Sequence, residues 1–247
     1  MKKCFILLLS LFISQFLHPK VDVYFQSPIS TGDATIKKSC HTSVSEQLNQ
    51  LIRLKKEHPE KRCKLRIAMY ELSNLSTINT LIAAAELGIQ VDILTDTKQF
   101  NAVLEKNDRK EQQDINKSLQ KLSRYEIVMI FPIGNPYKKG DHYNNIRTFH
   151  DKFSVMYCDG RFDQGVAMLG SFNWTGAASR INYEDCAIIT EDSAIIKRMD
   201  QRFEKIKKIE TDKYSKKPWR HKPKPVAQKR KTISPRRSPA KRVESKS

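Results

Sequence analysis

The sequence predicts an α/β domain followed by a basic tail, and three observations carry that reading. Between residues 21 and 131, apolar runs of strand length alternate with amphipathic runs of helix length. From residue 150 to 190 the strand-like runs follow one another more closely, and one more amphipathic stretch closes the domain at 193–209. Beyond it, residues 211–247 hold fourteen Lys/Arg against two Asp/Glu, a net charge of +12 out of the chain's +18. The remaining 210 residues therefore carry only +6, so the basicity belongs mainly to the tail.

The elements read as follows. Lys2 and Lys3 precede an apolar run from Cys4 to Leu17. Its length suits the core of a signal peptide and is short for a membrane span of about 20 residues. It has no amphipathic period, which argues against a core helix. Residues 1–20 are thus expected to export the protein as a signal. Because Ser14-Gln15-Phe16-Leu17-His18 lacks a small-x-small cleavage site, a short uncleaved anchor is the alternative. Residues 21–26 alternate as a strand, and 27–42 are polar and loop-like. Ser43-x-x-Glu46 reads as a capping box opening a helix to about His58, where Pro59 stops it. Leu65–Tyr70 is strand-like, Ser76 can cap the next helix, Gly88 ends it, and Ile89–Leu94 is a strand again. This order favours a parallel pair with a right-handed crossover.

Residues 97–123 are highly charged, with one helical stripe in Ile115, Leu119 and Leu122, and Ile127–Phe131 is a short buried strand. The segment 132–147 is punctuated by Pro, Gly and Asn and reads as a loop. It carries Lys138, Lys139 and Arg147 with Tyr137 and Tyr143. Cations mixed with aromatics suit a nucleic-acid groove, where phosphates pair and bases stack; an ordinary solvated loop has the same look. Residues 150–158 and 165–169 look like neighbouring strands joined through Asp159-Gly160. Residues 184–190 form a further strand. After Lys213 the Pro-, Lys-, Arg- and Ser-rich run cannot bury enough apolar surface to order itself. Its cations include Lys229, Arg230, Lys231, Arg236 and Arg237, candidates for contact with nucleic acid. An anionic membrane surface is the other polyanion such a tail fits.

The cysteines are Cys4, Cys40, Cys63, Cys158 and Cys186. With Cys4 lost in a cleaved signal, four remain, compatible with two disulfides whose pairing the sequence leaves open. Cys40, His41, His58 and Cys63 have no compact ligand spacing for zinc. A buried thiol or a Cys40–Cys63 bridge is the expected outcome, with no metal bound.

One stretch carries the chemistry. His150 and Lys152 are two apart, so on a strand they share a face. A neutral imidazole can attack phosphorus, and an ammonium beside it can hold the phosphoryl oxygens. Ser171 and Asn173, again two apart, could present a hydroxyl and an amide to the same oxygens. Glu184 opens the next strand-like run and could orient the imidazole.

His150-Asp151-Lys152, then Gly170-Ser171-Phe172-Asn173-Trp174-Thr175, then Asn182-Tyr183-Glu184-Asp185 resembles the HKD motif of the phospholipase D superfamily. The likeness is to its short, single-motif branch of bacterial endonucleases and Zucchini-like proteins. Val23-Tyr24-Phe25, Ile67-Ala68-Met69-Tyr70 and Val91-Asp92-Ile93-Leu94-Thr95-Asp96 are similar to the family's earlier strands. The resemblance implies a phospholipase D-like fold over residues 21–210, a mixed central sheet flanked by helices. It implies phosphodiester cleavage through a phosphohistidine, with His150, Lys152 and Glu184 catalytic, Ser171 and Asn173 on the phosphate, and no cofactor. Because only one His-x-Lys is followed by the Gly-Ser-x-Asn and Asn-x-Glu segments, it also implies a homodimer whose two motifs meet on a two-fold axis. Expected substrates are nucleic acid or, alternatively, phospholipid head groups; a binder without turnover is a third reading. One residue departs from the pattern. The family's aspartate would fall at 157, which is Tyr157, and Asp159 could replace it only if the strand were bulged or shifted.

Overall fold

The computed structural model describes residues 20–26, 39–105, 108–134 and 148–220. The N-terminal apolar run, the loop cations Lys138, Lys139 and Arg147, and the tail cations from Lys229 to Arg237 lie outside them. Seven strands form one mixed sheet: β1 (Lys20–Gln26), β2 (Cys63–Met69), β3 (Gln90–Asp96), β4 (Val128–Ile133), β5 (Lys152–Cys158), β6 (Val166–Gly170) and β7 (Glu184–Thr190). The order is β1-β7-β6-β5-β2-β3-β4. β2, β3 and β4 run parallel, and every other neighbouring pair is antiparallel.

Strand periodicity sorts the sheet's side chains into two cores. Leu65, Ile67 and Met69 of β2 face one side with Val91, Ile93, Met156 and Met168. That side is covered by α1 (Cys40–Glu57), α2 (Leu75–Glu86), α3 (Thr97–Glu105) and α4 (Lys110–Leu122). Ala68, Val155, Tyr157 and Ala167 face the other side, where α5 (Ser193–Lys208) lays Ile196 and Phe203 onto them. Among the described residues, no helix is long and apolar enough to cross a membrane.

Several local expectations move. α1 begins at Cys40, not at Ser43, because Ser39 Oγ accepts the Thr42 N–H and the buried stripe Cys40, Val44, Leu48, Leu51 already starts there. Asn74, not Ser76, caps α2. The charged stretch 97–123 forms two helices, α3 and α4, and the expected stripe Ile115, Leu119, Leu122 is the buried side of the second. β5 and β6 are joined by residues 159–165, which start with the Asp159-Gly160 turn and include a short 3-10 turn.

Of the two outcomes expected for Cys40, the buried thiol is found and the Cys40–Cys63 bridge is not. Cys63 and Cys158 lie directly opposite each other on β2 and β5 and form a disulfide. Cys40 sits at the start of an 18-residue helix that runs toward Cys63, so at 1.5 Å per residue about 27 Å of helix separates them. The same helix keeps Cys40 and His41 away from His58 and Cys63, so the four do not gather. Cys40 is a buried free thiol beside Cys186. Its hydrogen bond to Cys186 and its burial push its pKa far up, so it stays protonated.

The domain also ends later than composition indicates. After α5 a wide turn (Ile209–Lys213) leads into a strap on the outer edge of β4. The Trp219 N–H donates to the Ile130 carbonyl at 2.6 Å, and its ring meets Phe100 edge-on. Arg220 donates to the carbonyl oxygens of Ser123, Tyr125 and Glu126. Residues 211–220 are therefore part of the packed unit, not of the tail. One indole and one guanidinium supply contacts that the surrounding lysines and prolines hide from a composition count.

Candidate active site

All the motif residues converge at one end of the sheet. β5 is antiparallel to β2, so its start lies beside the end of β2: Lys152 is opposite Met69. β6 returns to the same end and β7 leaves from it, with Gly170 opposite Cys186. Gly170 is required there, because a Cβ would lie 2.2 Å from the Asp185 carbonyl oxygen. That close approach lets the Ser171 and Phe172 N–H groups both donate to Asp185 O, which delivers Ser171 next to Glu184.

His150 is exposed, in the segment just before β5. Lys152 Nζ lies 3.2 Å from both of its ring nitrogens and donates to its carbonyl oxygen at 3.0 Å. An ammonium has no acceptor, so it donates to whichever ring nitrogen carries the lone pair of the neutral imidazole. Partial burial pulls the Lys152 pKa below the ordinary lysine value, and the carboxylates of Glu184 and Asp151 oppose that shift. Asp151 itself pairs with Arg202 of α5 at 3.1 Å.

Glu184 takes a different partner from the one expected. Its carboxylate accepts from Ser171 Oγ at 2.5 Å and from Asn182 Nδ2 at 3.1 Å. It shares no hydrogen bond with His150, whose ring packs instead on Tyr70 with centroids 4.8 Å apart. Ser171 Oγ also accepts from the Asp185 N–H, so this hydroxyl bridges the carboxylate to the backbone of β7. Asn173 sits two residues on, its amide oxygen buried with no hydrogen-bond partner.

Position 157 belongs to the opposite end of β5. Tyr157 is 8 % exposed, its ring packs on Phe162, and its hydroxyl donates to Asp200 at 2.9 Å. Asp200 in turn holds the buried Arg66, which also pairs with Glu204. Asp159 does not substitute for the absent aspartate. β5 pairs with β2 in unbroken register from Lys152 to Cys158. The Asp159 carboxylate, just past its end, accepts the Arg62 N–H. At about 3.3 Å per residue, it lies roughly 20 Å from Lys152. Tyr70 and Asp96, both placed against the His150 segment, went unremarked in the sequence beyond their place in the resembling strands. No short-range pattern marks them, because they approach from β2 and β3 through tertiary contacts.

The profile of the family described as "Cardiolipin synthase, PLD-like domain" matches residues 60–207. The chain belongs to this phospholipase D-like family. Two solved structures have the same fold. NucT from Helicobacter pylori is 19% identical with a TM-score of 0.50, covering 82% of this chain and 100% of that one. Nuc from Salmonella typhimurium, described as a phospholipase D family member, is 16% identical with a TM-score of 0.50, over 83% of this chain and 100% of that one. No curated protein matches the sequence.

Proposed function

We propose that this chain is a phosphodiesterase that cleaves nucleic acid through a phosphohistidine, working as a homodimer. The observation that carries the proposal is Lys152 Nζ at 3.2 Å from the His150 ring, with Glu184 and Ser171 linked on the adjoining strand ends. When a phosphodiester enters, its non-bridging oxygens draw the Lys152 ammonium away from the imidazole and free the ring lone pair. That nitrogen bonds to phosphorus, the P–O bond to the leaving alcohol breaks, and an acid protonates the departing oxygen. The partner subunit's His150 would be that acid, then the base for the water that cleaves the P–N bond. Ser171 and Asn173 would steady the phosphoryl oxygens, and Glu184 would balance the cationic charge. These fixed groups supply the charge stabilisation, so no metal enters the scheme.

Among the described residues, one sheet face carries an exposed apolar strip. α5 covers the centre of its side of the sheet as far as Ile189 of β7 and leaves the β1 side chains exposed. Val21, Val23 and Phe25 of β1 are 50 %, 55 % and 60 % exposed there, and Leu169 of β6 lies on the same face across Ala187 of β7. Contiguous apolar surface of this kind marks an interaction site. It runs to Phe25, opposite Asp185, on the sheet face away from Lys152 and Glu184, so it is an interaction surface separate from the site. The basic tail and the Lys138–Arg147 loop favour nucleic acid as substrate, and the disulfide suits the oxidising compartment that an N-terminal export signal would deliver it to. The family's description keeps phospholipid as the second reading.

The test incubates full-length protein in EDTA with plasmid, single-stranded oligonucleotide, or vesicles of labelled phospholipid. Nucleic-acid cleavage that persists in chelator, disappears in His150→Ala and leaves a phosphate-bearing His150 peptide after acid quench is the expected result. Cleavage of phospholipid alone would transfer the site to the second reading. Turnover lost in EDTA and restored by Mg²⁺ would remove the mechanism. Mixing His150→Asn subunits with wild type should lower activity per wild-type chain; an active monomer on dilution would remove the dimer.

A further inference from the structure

The backbone on each side of His150 is fixed by a different strand end. On its N-terminal side, the Phe149 N–H donates to Asp96 Oδ2 at 3.0 Å. On its C-terminal side, the Tyr70 N–H donates to the Asp151 carbonyl at 3.1 Å. Asp96 is buried and cannot swing away, because its other oxygen accepts the N–H groups of Lys98 and Gln99 at the start of α3. Tyr70 is tied to the same place. Its carbonyl accepts from the Asp96 N–H, and its hydroxyl accepts from Gln99 Nε2 at 2.6 Å. The ring so held lies against the imidazole and carries the Lys152 ammonium 5.4 Å from its centroid. Burial, and then the Asp96 charge, raise the Tyr70 pKa, so the phenol is a fixed neutral group and not a base.

An exposed histidine outside regular structure has several rotamers open to it, yet in-line attack on phosphorus tolerates only a narrow range of ring positions. Glu184 does not supply the restraint within the subunit, since Ser171 and Asn182 occupy it. We propose that Tyr70 and Asp96 are the positioning residues of His150. Asp96 fixes the main chain before it. Tyr70 fixes the main chain after it and gives the imidazole a ring to pack on, and Gln99 locks that ring. The inference rests on reading His150 as the nucleophile, and it deepens that site by naming what aims it.

The experiment uses full-length protein labelled with ¹⁵N-histidine, with the His150 ring signals assigned through His150→Gln. Hydrolysis of bis(4-nitrophenyl) phosphate is followed alongside. Tyr70→Ala should lower kcat by about 10²-fold, the scale for a misplaced reacting group, with KM little changed. The His150 ring signals should shift and broaden while the other five histidines stay put. Tyr70→Phe keeps the ring and should restore most of the lost kcat, and Gln99→Ala should fall between. Ring signals and kcat both unchanged in a folded Tyr70→Ala, or Phe as damaging as Ala, would overturn the assignment. Should Tyr70→Ala not fold, Gln99→Ala and Tyr70→Leu carry the same readouts. If His150→Gln hydrolyses the diester as wild type does, the nucleophile reading fails separately. The ring signals then still decide whether Tyr70 holds the imidazole.

Discussion

The two ends of β5 are built on opposite principles. At its start, His150 and Lys152 are partly open to solvent, and their mutual contact leaves spare hydrogen-bonding capacity for a ligand. At its finish, Tyr157, the buried Arg66, Asp200 and the half-exposed Glu204 form one network, and Cys158 is bonded to Cys63. The polar groups there are spent mainly on one another, tying β2 and β5 to α5. The contrast gives the absent motif aspartate its meaning. Position 157 lies at the end that holds the fold, about six residues of strand from the end that faces solvent, so its replacement by tyrosine removes no group from the candidate site.

The sharpest way to break this contrast is to remove one residue from each end. His150→Ala or Lys152→Ala should cut phosphodiester turnover by more than about 10³-fold while leaving the thermal midpoint where it was. Loss of turnover accompanied by a large fall in the midpoint would mean that the open end is also structural. Tyr157→Asp should do the reverse. It deletes a buried ring and sets a new carboxylate beside Asp200 and Glu204, so a cost of about 3–5 kcal/mol is expected, the scale for truncating a large buried side chain. Chemical denaturation reads it. A more stable or more active Tyr157→Asp protein would show that the family's carboxylate belongs there after all.

How much of this was legible beforehand follows the same division. The strand–helix–strand order, the mixed sheet and the convergence of residues 150–152, 170–173 and 184 could be read because each rests on local periodicity or a short motif. Tyr70 and Asp96 could not, since their contacts with the His150 segment cross from β2 and β3. The Cys63–Cys158 bond likewise depends on β2–β5 register, which no sequence spacing of 95 residues specifies. Glu184 was placed in the right neighbourhood with the wrong partner, because the turn at Gly170 that delivers Ser171 to it is a tertiary contact. The strap at 214–220 was missed for another reason: composition averages over a window, and two residues hold that segment down.

The disulfide sharpens the comparison from the closed end. It spans 95 residues, so Cys63→Ser with Cys158→Ser should lower stability by about 2–4 kcal/mol. Activity per folded molecule should be kept, because the bond lies a full strand length from His150. A matching loss of kcat at a temperature where the variant stays folded would couple the two ends. Truncation tests the boundary in a similar way. Ending the chain after Arg220 removes ten Lys/Arg and one Glu and should weaken nucleic-acid binding and flatten its salt dependence, with no change in the melting midpoint. Ending it after Glu210 should also lower the midpoint, since Trp219 and Arg220 go with it.

The smallest effect, and the most specific to the open end, is in the pH profile. Lys152 has its pKa lowered chiefly by burial, with Glu184 and Asp151 pulling the other way. A lysine so shifted loses its proton at a lower pH than an exposed one. Only the charged form holds phosphoryl oxygens, so activity should decline on the alkaline side earlier than an ordinary lysine would dictate. Two substitutions separate this from other alkaline losses. Lys152→Arg keeps the charge at any accessible pH, so whatever activity it retains should show no such decline. Asp151→Asn removes one of the opposing carboxylates, so the decline should move further toward neutral pH. Movement in the other direction would mean that the alkaline limb reports some group other than Lys152.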